Sequence, residues 1–507
     1  MSSKVSKSTA DENDVAAPEP AAPTSRVTLQ EVSLQSSDAY ALCVDLDGTL
    51  VKSDTLADAF LTLIRHDPVK ALRCLPSLKR GKAAFKAQVA THVSLNSATL
   101  PYNKPLLERL RLEHAAGRDI YLATATNEEH ANRIARHLGI FAGVIASSAD
   151  LNLRSETKRQ ALQRRFSCFD YVGNAQSDAP VLAQAQQAML ANPSPGLDRW
   201  LKRRNIHIVH VFKDRAPLWK TLVEAARVKQ WPKNFLIFLP LLLAHAFFRF
   251  HDVFLTCLAF ASWSFVASAT YVLNDLLDME ADRSHRTKRK RPFAAGELSI
   301  QTALSMVCVL LALSAMIAIR LPSRFVFWLA AYFVTTIAYS LVLKKLALVD
   351  VIVLAGLYTV RMVAGAAVTD VTFSDWLGGF SIFFFLTLAI AKRYTELDNL
   401  RKQRQIPAGG RGYRVEDLEQ LRSFGTASGY AAIVIFTLYI NNPDILRLYS
   451  HFQRLWLLIP VLIYWINRVW LLAHRGELDE DPVVFALTDY RSALLGLVAL
   501  LIVLSAV

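Results

Sequence analysis

Apolar positions follow two different patterns along this chain. From about Asn234 to Val507, apolar runs of about 17 to 22 residues recur, each long enough at ~1.5 Å per residue to cross a bilayer core of roughly 30 Å. Centred near residues 242, 263, 311, 334, 357, 383, 434, 462 and 498, they predict nine membrane helices. From Asp38 to about Gln230 no such run occurs, and short apolar stretches alternate with helix-like sequence. The stretches ALCVDL from Ala41, DIYLATAT from Asp119, GVIAS from Gly143 and FDYVG from Phe169 predict strands of a parallel α/β sheet. A helical insert from about Thr55 to Glu113 predicts a small cap over the carboxyl edge of that sheet, where ligands bind in such folds. The opening residues are rich in Ser, Ala and Pro and lack the apolar core of a secretory signal. The expected organisation is a disordered tail at 1–38, an α/β domain at 39–215, a juxtamembrane linker at 216–233 and an all-α membrane bundle at 234–507.

Composition sharpens this picture. With 53 % apolar and 20 % charged residues so unevenly spread, neither a purely soluble enzyme nor a purely membrane protein fits. The formal net charge of +14 sits largely in short loops between the apolar runs, so membrane topology explains it better than nucleic acid does, and no nucleic-acid partner is expected. The loop after the second run carries Arg283, Arg286, Lys288, Arg289, Lys290 and Arg291. The loop after the sixth carries Lys392, Arg393, Arg401, Lys402, Arg404, Arg411, Arg414 and Arg422. The opposite loops, around His251, Ser323, Asp370 and Asn442, hold almost no Lys or Arg. This asymmetry predicts a multi-pass protein of the inner (cytoplasmic) membrane, with its amino terminus and α/β domain in the cytoplasm. The five cysteines (Cys43, Cys74, Cys168, Cys257, Cys308) are scattered and odd in number, which suits a reducing compartment.

Candidate chemistry in the apolar half gathers at one membrane face. At the end of the second run Asp275, Asp278 and Asp282 fall at i, i+3 and i+7, on one helical face. Carboxylates facing the same way repel unless a cation joins them, and Mg²⁺ characteristically takes one or two carboxylates plus substrate phosphates, so a magnesium-bound diphosphate is the natural occupant. The run S-H-R-T-K-R-K-R-P follows at once, and its Lys288, Arg289 and Arg291 suit phosphate oxygens, although positive-inside anchoring also produces such a run. Tyr339 and Lys344 follow the fourth run, and Asp350 and Arg361 lie in the fifth. An arginine in a membrane helix costs about 2.5–3.5 kcal/mol unless it faces a cavity or an anion. Arg361 therefore marks either a ligand site or an ion pair with Asp350. Lys392, Arg393 and Glu396 end the sixth run.

The N-D-x-x-D-x-x-x-D-R motif from Asn274 to Arg283, with the nine runs and the loop placement, resembles the UbiA family of intramembrane prenyltransferases over roughly Trp231 to Val507. H-R-T-K-R-K-R-P, Y-S-L-V-L-K, V-D-V-I-V-L-A-G-L-Y-T-V-R-M-V-A-G-A and A-K-R-Y-T-E-L resemble most closely its decaprenyl-phosphate phosphoribosyltransferase branch. Aromatic prenyltransferases of the family carry a second Asp-rich motif after the sixth run, where this chain has Lys392, Arg393 and one acid, Glu396. The resemblance implies transfer of 5-phosphoribose from phosphoribosyl diphosphate, a soluble donor, to a polyprenyl phosphate. In that reading Asp275, Asp278 and Asp282 hold Mg²⁺ and the leaving diphosphate. Asn274, Arg283, Lys288, Arg289, Arg291, Arg361, Lys392, Arg393 and Glu396 contact substrate, and Tyr339 and Lys344 line the acceptor side. The alternative is prenyl transfer from a polyprenyl diphosphate to an aromatic acceptor.

V-D-L-D-G-T-L, at the end of the first strand, resembles the first motif of the haloacid dehalogenase superfamily, a resemblance that runs from about Ala41 to Leu190. It implies a Rossmann-type phosphatase in which Asp45 is the nucleophile and Asp47 the acid and base. Thr124 binds the phosphoryl oxygen and Lys158 neutralises charge, with Asp45, Asp47, Asn174 and Asp178 around a Mg²⁺. The chain departs from the superfamily at Asn174, where Y-V-G-N-A-Q-S-D replaces an acid; Asn ligates Mg²⁺ through its carbonyl but adds no charge. Fusion of the two halves suggests that the phosphatase removes the phosphate from the lipid-linked product. A transporter of the P-type class is disfavoured, because D-L-D-G-T precedes all apolar runs and is not D-K-T-G-T. A scaffold leaves the aligned acids and Arg361 without purpose.

Overall fold

Six short strands form the sheet that positions the soluble site: β1 Ala41–Val44, β2 Ile120–Asn127, β3 Gly143–Ser147, β4 Phe169–Gly173, β5 Ala188–Ala191 and β6 Ile208–Phe212. The computed structural model describes residues 40–148, 151–402, 412–478, 485–486 and 488–507; the tail expected at 1–38 and the loop residues Arg404 and Arg411 lie outside them. All strands pair in parallel, in the order β3-β2-β1-β4-β5-β6. The chain leaves β1 toward one edge and returns at β4 to build toward the other, so the carboxyl ends of β1 and β4 flank the switch point where such sheets place ligands. β1 and β4 are almost wholly buried, as central parallel strands must be. β5 and β6 add to the four strands read from the sequence. β5 is a four-residue strand, and β6 at the edge leaves Val209, His210 and Val211 exposed, so neither shows a long apolar run.

The cap is α1 Thr55–His66, α2 Pro68–Cys74 and α3 Lys82–His92, packed through Ala59, Leu63, Ala71, Cys74, Phe85 and Val89. It stops short of the predicted Glu113, because α4 Lys104–Ala115 turns Leu106 and Leu110 into the sheet core beside Leu42 and Val44. Helices α5 Glu128–Leu138, α6 Glu156–Arg165, α7 Ala179–Leu182 and α8 Leu197–Arg203 complete the α/β layers, and α9 Leu218–Ala225 leads into the apolar half.

That half contains α10 Leu239–Leu243, α11 Phe250–Leu277, α12 Met279–Ser284, α13 Ile300–Ala318, α14 Ser323–Leu341, α15 Val349–Thr369, α16 Asp375–Lys402, α17 Leu418–Ile440, α18 Pro443–Leu448, α19 Leu458–Arg475 and α20 Tyr490–Ala506. Seven helical segments among the described residues, containing α11, α13, α14, α15, α16, α17 and α19, are long and apolar enough to cross a membrane, against the nine expected. The run near 242 is instead a 3₁₀ stretch, Val228–Phe238, followed by the five-residue α10; Pro232 and Pro240 each remove a backbone donor there. The run near 498 is the 17-residue α20. The 3₁₀ stretch lies tight on α15, where a Cβ on Gly365 would stand 2.0 Å from the Ile237 carbonyl oxygen. Tyr40–Val507, both halves together, form one unit.

Candidate functional site

In the soluble half Asp45 follows β1 directly, its backbone N–H donating to the Val172 carbonyl of β4 at 3.0 Å. Lys158, near the start of α6, is buried and reaches three partners: Asp45 Oδ1 at 2.8 Å, Asp178 Oδ1 at 3.1 Å and the Tyr171 hydroxyl at 3.0 Å. Asp178 also accepts from the N–H groups of Asn174 and Ala175 at 3.2 and 3.1 Å. Burial pushes the Asp45 carboxyl up to about 7, against the pull of Lys158. Burial also opposes ionisation of Asp178, but Lys158 and the two backbone N–H groups hold its carboxyl below the ordinary range. For Lys158 burial disfavours charge, and Asp178 and Asp45 outweigh it, holding the ammonium well above its usual value. Asp47 makes a separate set of bonds, accepting from Thr55 N at 2.8 Å and from the Thr126 hydroxyl, and burial pushes it up to about 6. Thr124 is fully buried on β2 and accepts from Thr126 N at 3.0 Å. Gly48 has φ +77°, and a Cβ there would stand 2.1 Å from Asn174 Nδ2, so the Asn174 side chain covers the turn after Asp47.

In the apolar half α11 ends at Leu277, Asp278 leaves helical geometry with φ −93° and ψ 2°, and α12 resumes at Met279. This break divides the three aspartates. Asp275 Oδ1 and Asp282 Oδ2 converge on one atom, Arg291 Nη1, at 3.1 and 2.6 Å, while Asp275 also takes Arg227 through both of its oxygens. Asp278 is held instead by Lys344 Nζ at 2.8 and 2.9 Å, and Lys344 reaches Asn274 Oδ1 at 3.3 Å. Burial raises the Asp282 carboxyl against the pull of Arg291, and burial lowers Lys344 against the pull of Asp278. A second network joins Arg393 to Asp350 at 2.5 Å, Glu396 at 2.6 Å and the Tyr339 hydroxyl at 3.0 Å, with Tyr413 donating to Asp350. Lys392 is half-buried beside it.

Two readings of the sequence change here. Arg361 does not pair with Asp350: eleven residues of helix separate them by about 16 Å, beyond a side chain's reach. Its Nε donates to Asn234 Oδ1 at 2.9 Å and its Nη2 to the Tyr332 hydroxyl at 3.1 Å, with the guanidinium 4.9 and 5.4 Å from the centres of the Tyr332 and Tyr358 rings. Arg283 is committed to Asp58 of the cap at 2.8 Å. Lys288 is half-buried and Arg289 exposed, on the 3₁₀ turn Lys288–Lys290. Beside the 3₁₀ stretch an apolar cavity of about 540 Å³ is lined by Phe235, Phe238, Leu239, Phe384, Leu388 and Trp465.

The family model for the UbiA prenyltransferase family matches residues 235–490. The chain belongs to that family. It is therefore an integral membrane protein of a transferase family, joined to an α/β domain built on a six-stranded parallel sheet. Among similar proteins, an uncharacterised protein of Sinorhizobium fredii, y4nM, is 37 % identical over 90 % of this chain and 89 % of its own length. Nodulation protein NoeC of Azorhizobium caulinodans is 35 % identical over 55 % of this chain and 91 % of its own. Decaprenyl-phosphate phosphoribosyltransferase of Mycobacterium tuberculosis is 30 % identical over 57 % of this chain and 94 % of its own.

The residues of this UbiA-type site fit Mg²⁺ in one respect. Asp275 and Asp282 already aim an oxygen each at a single positive atom, and two carboxylates completed by substrate phosphates are a normal magnesium shell. Among the described residues no group of three His, Cys, Asp or Glu converges in that way. In the soluble site Asp45 and Asp178 share Lys158 Nζ, and the Asn174 side chain lies beside them over Gly48. Several partners have no signature in the sequence. Tyr171 reads as a strand aromatic, Arg227 as linker charge and Asn234 as the edge of an apolar run. Asp350 alone carries a signal, as an acid at the start of a membrane helix.

Proposed function

We propose that this protein moves 5-phosphoribose from phosphoribosyl diphosphate to a polyprenyl phosphate, and that its α/β domain then removes the 5-phosphate from the lipid-linked product. The observation that carries the reading is charge: the three carboxylates Asp275, Asp278 and Asp282 are met by four cations, Arg65, Arg227, Arg291 and Lys344. A cluster with cations in excess suits a donor carrying three phosphate groups. The family relative named for phosphoribosyl transfer to decaprenyl phosphate supports the same substrates. Asp275 and Asp282 would hold Mg²⁺, which when bound neutralises the departing diphosphate. Lys344, Arg227 and Arg291 grip phosphate oxygens. A lipid phosphate oxygen attacks the anomeric carbon as its bond to the diphosphate breaks, and catalysis rests on positioning and on stabilising the leaving charge. The apolar cavity beside Phe235 and Trp465 suits the polyprenyl chain. In this reading Val228–Leu243 and α20 complete nine crossings, and the α/β domain lies in the cytoplasm.

In the α/β domain Asp45 attacks the 5-phosphate, Asp47 protonates the departing ribose oxygen, and the aspartyl phosphate is then hydrolysed by water that Asp47 deprotonates. Lys158 holds Asp45 and Asp178 in place. Incubation of the purified protein with phosphoribosyl diphosphate labelled in the sugar, polyprenyl phosphate and Mg²⁺ should give labelled lipid. Absence of label in the lipid, or turnover of a prenyl diphosphate with an aromatic acceptor in its place, contradicts the proposal.

A further inference from the structure

The soluble domain reaches the three-aspartate face of the bundle through helix α1. Asp58, on α1, accepts from Arg283 Nη1 at 2.8 Å, and the two side chains are 1 % and 4 % exposed. Ser53 Oγ donates to Asp58 at 2.7 Å and accepts from Arg283 Nη2 at 3.2 Å, while Arg283 Nε donates to the Ala294 carbonyl at 3.1 Å. Close by, Lys52 Nζ meets Glu297 at 2.7 Å. Both the Ser53 and the Arg283 bonds fall on Asp58 Oδ2, and Oδ1 is buried without a partner. Opening a buried ion pair with one partner from each half of the chain leaves an uncompensated charge, so α1 is fixed on α12.

From this anchor α1 runs to its last turn. There Arg65 Nη1 donates to the Leu277 carbonyl at 3.0 Å and lies 3.2 Å from Asp278 Oδ1. The carbonyl belongs to the last turn of α11, where the break at Asp278 leaves acceptors without helical donors. Lys344 holds the same carboxylate from the bundle side. One carboxylate balances one cation, so the pair of cations on Asp278 leaves a positive charge over. The Arg65 side chain is 26 % exposed, which leaves an open side for an incoming anion. Its planar fork matches phosphate oxygens in a way that a point charge does not. At its other end α1 donates Thr55 N to Asp47, so one helix, about 15 Å from Thr55 to Arg65, touches both candidate sites.

We propose that Arg65 is a phosphate-binding residue of the membrane site, supplied by the soluble domain, and that with Lys344 it grips the diphosphate of the donor. The transferase centre is then incomplete without the domain fused to it. The inference rests on the diphosphate-donor reading given above.

The test compares full-length wild type, Arg65→Ala, Arg65→Lys and, as an interface control, His66→Ala, whose exposed imidazole faces Glu280 at 3.5 Å. The thermal shift is titrated with magnesium diphosphate, and KM and kcat are measured with phosphoribosyl diphosphate. Loss of one charge-assisted bond should raise both the titration midpoint and KM of Arg65→Ala by about tenfold or more. Arg65→Lys should recover part of that loss and His66→Ala should stay within about twofold of wild type. An Arg65→Ala midpoint equal to wild type, with only the ligand-free melting temperature lowered, overturns the proposal and makes Arg65 a docking tie. Wild type that shifts with diphosphate but transfers no phosphoribosyl group overturns the donor's identity, while the midpoints still decide the role of Arg65. Wild type that does not respond to diphosphate overturns both.

Discussion

Lys158 touches Asp45, Asp178 and Tyr171 with one ammonium group, and all four side chains are buried. Removing that charge leaves two carboxylates facing each other away from water. Lys158→Met should therefore lower stability by about 3–5 kcal/mol and abolish hydrolysis of nitrophenyl phosphate. An unchanged melting temperature contradicts this account of the cluster. The residues readable from the sequence were those whose chemistry depends on spacing along the chain: Asp45 with Asp47 at a strand end, and Asp275, Asp278 and Asp282 at a helix end. Of their partners, Lys158, Arg291 and Lys344 were readable as cations near the motifs, but Arg227 and Arg65 come to the sites only through packing between distant segments, and Tyr171 sits in an apolar strand that hides its hydroxyl's role. Arg361 shows the limit from the other side. Its presence in an apolar helix announced a polar partner, but that partner, Asn234, lies 127 positions away on another segment.

Among the elements, the central strands and seven of the apolar runs follow directly from pattern, since burial on both faces of β1 and β4 and membrane length in the helices each leave a simple signature. The signature fails where conformation depends on neighbours. The run near 242 has the composition of a spanning helix, yet its prolines and its seat on Gly365 give a 3₁₀ stretch. The three aspartates keep helical spacing in the sequence, yet the break at Asp278 sends one of them to Lys344 and Arg65. Gly365→Val should push the 3₁₀ stretch off α15, because its Cβ meets backbone and not a movable side chain. A loss of about 1–3 kcal/mol is expected, read as a lower melting temperature in detergent. Wild-type stability in that variant would contradict the close approach as the cause.

On the scale of the whole molecule, a UbiA-family bundle and a parallel α/β domain meet across the Asp58–Arg283 pair, with α1 touching both sites. In the proposed function the two halves catalyse successive steps on one lipid. The most direct measurement is mass spectrometry of the lipid formed from phosphoribosyl diphosphate and polyprenyl phosphate by full-length wild type and by Asp45→Asn. Wild type should release a polyprenyl-phosphate ribose, and Asp45→Asn should accumulate the same lipid heavier by one phosphoryl group. Identical lipids from both proteins, or no ribosylated lipid from either, would contradict it.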